Sequence, residues 1–167
     1  MSRKALEGVR ILDFSQLLAG PFATMMLADL GAEVIKIERV NTGDLYRGMT
    51  FFAKNIKDKQ SPLFMAWNRN KRSVAMNIRN EEVKKIIYEM VKTSDVVVEN
   101  FRPGVMDRLG YGYEDIKKIN PKIIYASNSG YGPTGPYAKR PGQDMLIQGM
   151  VGLAKMTGRK DQPPHPL

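Results

Sequence analysis

The 167-residue chain reads as an α/β protein built on a mainly parallel, doubly wound sheet, and three observations predict this. Short apolar runs bounded by turn residues (VRILDF at 9–14, EVIKI at 33–37, VVV at 96–98) have the length and β-branched content of strands buried on both faces. Stretches with helical spacing stand between them, and the clearest runs from Val83 through Ile86, Ile87 and Met90 to Val91. Strand and helix signals alternate along the chain as β-α-β-(loop)-β-α-β-α-α-β-(loop)-α, the order expected of a parallel sheet covered by helices.

Taken in order, Val9 to Phe14 form the first strand, with Asp13, Ser15 and Gln16 gathered at its end. Gly20-Pro21 opens a helix in which Phe22, Met25, Met26 and Leu30 recur at helical spacing, and Gly31 closes it in a conformation glycine adopts cheaply. Glu33 to Ile37 is a second strand that delivers Glu38 and Arg39 to its carboxyl end. This unit is Rossmann-like, but SQLLAGPF between its first strand and helix lacks G-x-G-x-x-G, so no nicotinamide cofactor is expected. A long polar loop over 39–61 follows, of the kind that helps cover a ligand.

Pro62 to Asn68 predicts a short helix and Ser73 to Ile78 a third strand ending on Arg79. Asn80 caps the next helix, with Glu81 and Glu82 suited to its positive end. The valine strand then ends on Glu99, Asn100, Phe101 and Arg102, and Pro103-Gly104 starts a short helix that Gly110 can close. Tyr113 to Ile119 is another helix, stopped by Asn120-Pro121. Lys122 to Ser127 is the last strand. A glycine- and proline-rich loop leads from it to Pro141-Gly142-Gln143-Asp144 and an apolar segment, Met145 to Leu153, before a proline-rich tail over 159–167.

Composition narrows the function. There is no cysteine and a single His165, so neither a disulfide framework, a thiolate metal site nor a multi-histidine centre is expected. Glu7, Arg10 and Asp13 interrupt any apolar run near the start, and the stretch from Leu17 to Leu30 holds Pro21 and Asp29. No secretory signal or membrane span is read, and a cytoplasmic enzyme or binding protein is expected. A net charge of +9 implies anionic partners. The charge is spread along the chain without interleaved aromatics, so a phosphate-rich small molecule is favoured over nucleic acid.

In open α/β sheets ligands bind outside the carboxyl ends of the strands, where most of the polar residues named above fall. At this point the residues resemble a family, the class III coenzyme A transferases, which also include α-methylacyl-CoA racemases and carnitine CoA-transferases. The matching segments are LEGVRILDFSQLLAGPF (6–22), LGAEVIKIERVNTGD (30–44), NRNKRSVAMNIR (68–79), DVVVENFRPGVMDRLG (95–110), NPKIIYASNSGYGPTGPYAKRPGQD (120–144) and QGMVGL (148–153).

The resemblance implies that residues 1–167 are an incomplete, N-terminal portion of a Rossmann-like large domain. It also implies an interlocked homodimer, or a second polypeptide supplying the C-terminal part. Carried over by position, contacts to coenzyme A or its acyl thioester fall on Gln16, Leu18, Ala19, Arg39, Met76, Asn77, Ile78, Arg79, Asn100, Phe101, Arg102, Arg108, Pro141, Gly142, Gln143 and Asp144. The arginines suit phosphate because a guanidinium donates in a planar fork. Phe101, Met76 and Leu18 suit adenine or the pantetheine arm.

The chemistry implied is transfer of coenzyme A between an acyl-CoA and a carboxylic acid, by an aspartate nucleophile through an enzyme-bound anhydride and thioester. That aspartate falls just past Leu167, so no catalytic residue, no metal, and little or no activity are expected of residues 1–167 by themselves. Asp144 aligns with a binding position at a helix start and is not taken as the nucleophile. Racemases of the family carry a proton-transferring histidine where Gln143 stands, and glutamine cannot exchange a proton at neutral pH. Transfer is therefore preferred over racemisation or a non-catalytic coenzyme A-binding module.

Overall fold

The computed structural model describes residues 4–49, 60–157 and 159–166. Five strands form one sheet in the order β3-β2-β1-β4-β5. They are β1 (Arg10–Asp13), β2 (Glu33–Glu38), β3 (Lys71–Ala75), β4 (Val96–Glu99) and β5 (Ile124–Ser127), and all four pairings are parallel. The register sets Leu12 beside Ile35 and Val97, so the central strand β1 is apolar on both sides. Helices are α1 (Ala19–Asp29), α2 (Pro62–Trp67), α3 (Glu81–Lys92), α4 (Val105–Leu109) and α5 (Tyr113–Ile119), followed by α6 (Asp144–Met150) and α7 (Leu153–Met156).

Alternation along the strands feeds two cores. Leu12, Ile37 and Val97 pack with Ile87 and Val91 of α3, Met106 of α4 and Ile116 of α5. Ile11, Val34 and Val98 point the other way and pack with Ala28 of α1 and Ala32. Helices thus cover both faces, which makes the sheet doubly wound as predicted. The strand order reverses between β1 and β4, and that switch point is where such sheets open a crevice.

The local reasons are readable. The Asn80 side chain accepts from the backbone N–H groups of Glu82 and Val83, capping α3 as expected. Gly110 takes φ 80° after α4, a left-handed value that a side chain would disfavour. Two predictions shift. β3 begins at Lys71, two residues before the expected Ser73, and it ends at Ala75, so Met76 to Arg79 lie beyond the strand. It is an edge strand with little burial, and the apolar alternation that locates inner strands is weak there. On α1 the spaced residues Phe22, Met26 and Leu30 are exposed, while Gly20, Pro21, Thr24, Met25 and Ala28 are buried. Mostly small residues face the sheet and let the helix sit close to it.

The chain divides into two compact units, Met1–Asn128 and Ser129–Leu167. The sheet lies in the first. In the second, the expected apolar segment from Met145 to Leu153 is split into α6 and α7, with Gly152 at φ 80° between them. Gly130 and Gly142 meet backbone to backbone there: a Cβ on either would lie about 2.5 Å from the other's Cα. Of the expected long loop, Leu45–Gly48 forms a 3-10 turn, and residues 50–59 lie outside the described residues.

Candidate active site groove

A groove of about 720 Å³ runs along the carboxyl ends of the strands in the first unit. Four strands contribute residues just past their ends: Phe14 and Gln16 after β1, Arg39, Val40 and Asn41 after β2, Met76 to Arg79 after β3, and Phe101 after β4. Val105 and Leu109 of α4 complete the wall. One end is therefore apolar, while Arg39 and Arg79 supply cationic donors. The volume lies in the range of small-molecule sites.

The described arginines of this unit divide into two sets. Arg10 and Arg72 pair with Glu33, Arg47 with Glu38 and Arg69 with Asp29, at 2.6 to 3.0 Å. Arg39, Arg79, Arg102 and Arg108 make no ion pair among the described residues. All four unpaired guanidiniums sit on segments that follow β2, β3 and β4, and two of them line the groove. Unneutralised guanidiniums converging on a concavity favour an anion, most strongly one that accepts two parallel hydrogen bonds. A second hollow, about 520 Å³, is bounded by Arg47, Ser61, Phe64 and Arg69. Both of its arginines are already neutralised, so it offers less to an anion.

The same unit holds a buried charged network. Lys36, in the middle of β2, is 1% exposed; its Nζ stands 2.9 Å from Asp44 Oδ2 and donates to the Ser15 carbonyl at 2.7 Å. Lys71 Nζ donates to Asp13 Oδ2 at 3.1 Å, and Thr24 Oγ1 donates to the same oxygen at 2.6 Å. Burial pushes the Lys71 ammonium below its ordinary value, against the pull of Asp13. Burial would also raise the Glu38 carboxyl, but donors from Arg47, Ser73 and the Asp44 amide prevail and hold it down at about 2. Each carboxylate of this network is engaged by a lysine or arginine, and none is free to attack a substrate.

The network converges on the turn after β1. Asp13 Oδ1 accepts from the Ser15 N–H at 2.9 Å and from its hydroxyl. Asn100 spans the switch point: its Oδ1 accepts from the Gln16 N–H at 2.9 Å and its Nδ2 donates to the Gln16 carbonyl at 2.8 Å. The Leu17 N–H donates to Asp44 Oδ1 at 3.3 Å. Leu17 stands at φ 66°, a left-handed conformation that costs a side-chain-bearing residue about 1–2 kcal/mol. Gly20 presses from the helix side, where a Cβ would lie 2.3 Å from Ser15 Cβ and 3.6 Å from Asn100 Cγ.

Of the residues expected to bind coenzyme A, Gln16, Arg39, Met76, Asn77, Ile78, Arg79 and Phe101 all line the groove. Leu18 caps α1 and Ala19 is its first residue, both exposed beside the turn. Arg102 follows β4, and Arg108 lies on α4 with its guanidinium close to Gly104. Asn100 spends both ends of its amide on Gln16. Pro141 to Asp144 belong to the second unit, where Asp144 opens α6 and accepts from Gln148 Nε2 at 2.6 Å. Glu99 is buried and accepts from the Phe101 N–H at 2.8 Å, a structural role.

Sequence reasoning missed the Lys36–Asp44 pair and the part played by Lys71. One signal for the first was available: a lysine flanked by isoleucines inside a doubly buried strand requires a buried counter-charge.

The comparisons with known proteins bear on this geometry. A sequence profile described as CoA-transferase family III matches residues 6–166. The succinyl-CoA:glutarate CoA-transferase of Mus musculus is 49% identical over 163 residues, covering 98% of this chain and 37% of that protein. The acetyl-CoA:oxalate CoA-transferase of Acetobacter aceti is 47% identical, covering 95% of this chain and 40% of its own length. Among solved structures, a CAIB/BAIF family protein from Brucella suis superposes with a TM-score of 0.93 at 40% identity, covering 99% of this chain and 44% of that one. The chain therefore spans less than half the length of the relatives it matches. With the profile covering all but a few terminal residues and the fold matched throughout, the chain belongs to CoA-transferase family III.

Proposed function

We propose that the groove binds coenzyme A and its acyl thioesters, and that the chain serves a transferase moving coenzyme A between carboxylic acids. The observation that carries the reading is the partition of the arginines: among the described residues, Arg39 and Arg79 in the groove and Arg102 and Arg108 after β4 make no ion pair, whereas Arg10, Arg47, Arg69 and Arg72 do. Arg39 and Arg79, with Arg102 and Arg108 nearby in sequence order, suit the pyrophosphate and 3′-phosphate. Phe101, Met76 and Ile78 suit the adenine face and the pantetheine arm, with Gln16, Asn77, Leu18 and Ala19 at the turn-side end. Pro141 to Asp144 are proposed as further contacts.

In the proposed reaction a carboxylate attacks the thioester carbonyl. The C–S bond breaks, coenzyme A leaves as thiolate, and a mixed anhydride forms. The thiolate then attacks the anhydride at the enzyme's own acyl carbon, releasing the first acid and leaving an enzyme-bound thioester. The acceptor acid reverses these steps. The nucleophile is an aspartate outside residues 1–167. This accords with the buried carboxylates here, since Asp13, Glu38 and Asp44 are all tied to lysine or arginine. The homodimer or partner polypeptide and the cytoplasmic setting implied by the resemblance belong to the same proposal.

Calorimetric titration of the chain with coenzyme A tests the binding step. Arg39→Ala and Arg79→Ala should each weaken binding about tenfold to a hundredfold, the worth of one charge-assisted hydrogen-bonding group. Arg69→Ala, which removes a paired arginine, should bind as the parent does. A parent chain that does not bind coenzyme A, or groove variants that bind equally well, would refute the reading.

A further inference from the structure

The turn after β1 is held more completely than its position in a loop requires. Five consecutive backbone groups, the N–H and C=O of Ser15, the N–H and C=O of Gln16 and the N–H of Leu17, are each bonded to a side chain. Those side chains come from three strands and their extensions: Asp13 from β1, Lys36 and Asp44 from β2 and the segment after it, Asn100 from the end of β4. Buried backbone groups are usually satisfied by neighbouring backbone, and side chains arriving from three directions fix a single geometry instead.

That geometry is one the turn would not choose unaided, because Leu17 is at φ 66° and is not glycine. Local strain of this kind persists where the surroundings over-determine it, and it concentrates at sites that must be preformed. The consequence is carried by Gln16, which lines the groove, and by Leu18 and Ala19, which start α1 directly after it. Of the clamping side chains, Asn100 alone touches both the donor and the acceptor of one peptide residue, and it does so across the switch point between β1 and β4.

We infer that Asn100 is a positioning residue, which holds Gln16 and the left-handed Leu17 in the shape the groove needs before any ligand enters. It acts on the ligand through Gln16. The inference rests on the coenzyme reading of the groove and adds to it that the turn is preorganised, so that binding spends no free energy on ordering it.

Three measurements test this together. In the coenzyme-free chain, amide hydrogen exchange at Gln16 and Leu17 should be slowed as in a strand, although both residues lie in a turn. Asn100→Ala should weaken coenzyme A binding about tenfold, the order of loss expected when a preformed site must be reordered. Adding Leu17→Gly to Asn100→Ala should then recover part of that loss, because glycine visits the left-handed region freely. A purely structural Asn100 predicts instead that the glycine leaves affinity where it was.

Exchange at open-loop rates in the parent chain would overturn the inference, even if Asn100→Ala failed to fold. So would an Asn100→Ala chain that binds as tightly as the parent, or a loss of affinity that Leu17→Gly does not recover. A parent chain that does not bind coenzyme A strikes the reading of the groove itself. A parent that binds, beside an Asn100→Ala variant equal to it, strikes this inference alone.

Discussion

Lys36 shows most sharply how single residues settle the behaviour of the buried charged network. Its ammonium is 1% exposed and its counter-ion Asp44 is fully buried, so neither charge has water to fall back on. Asp44→Ala leaves that ammonium without its counter-charge, with only the Ser15 carbonyl among the described residues to accept from it, and should destabilise the fold by about 3–5 kcal/mol in urea unfolding. Combining it with Lys36→Met should recover much of the loss, because removing both members of a buried pair is often close to neutral. Equal losses in the single and double variants would show that the pair is not what holds the network together. At this scale the sequence was legible where a residue type has one physical use. Asn80 reads as a cap and Gly110 as a left-handed stop, and both are so. It was not legible where meaning depends on a distant partner: nothing near Asn100 in the chain announces Gln16, eighty-four residues earlier.

The segment after β2 behaves as one element tied down by Glu38. That carboxylate takes the Asp44 amide and both nitrogens of the Arg47 fork, and so anchors the stretch bearing Arg39, Val40 and Asn41 along the groove. Its pKa lies at about 2, below the ordinary glutamate value of 4.5, so the stabilisation it contributes is complete above about pH 4.5 and is lost as pH falls towards about 2. The urea midpoint of the parent chain should therefore drop between about pH 5 and pH 3, and the drop should be smaller in Glu38→Gln, which has no charge to lose. An unchanged acid dependence in that variant would assign the effect to other carboxylates. Inner strands and the capped helix α3 could be placed from the sequence because burial imposes a pattern on them. The edge strand β3 could not be placed as closely: the adjacent Arg72 and Ser73 are both exposed, which breaks the alternation, and its inward Lys71 is a charged residue aimed at Asp13.

Across the whole molecule, parallel pairing brings every strand's carboxyl end to one rim, and the residues following four of those ends wall the groove. The general site was therefore legible as soon as the strands were, whereas its charge balance emerged only once the ion pairs could be sorted. A chain of net charge +9 with unneutralised arginines at this rim should bind coenzyme A less tightly as salt is added. The Debye length shrinks from ~30 Å at 0.01 M to ~3 Å at 1 M, and Arg39→Ala should show a shallower dependence than the parent. Affinity indifferent to salt in both would mean that phosphate recognition does not run through these charges. Gly20 adds a control of another kind. Because a Cβ there would meet Ser15 at 2.3 Å, one methyl group added between helix and sheet would displace Ser15 and carry Gln16 with it. The mouth of the groove can thus be reshaped from behind, by volume alone, with no residue that faces the ligand substituted.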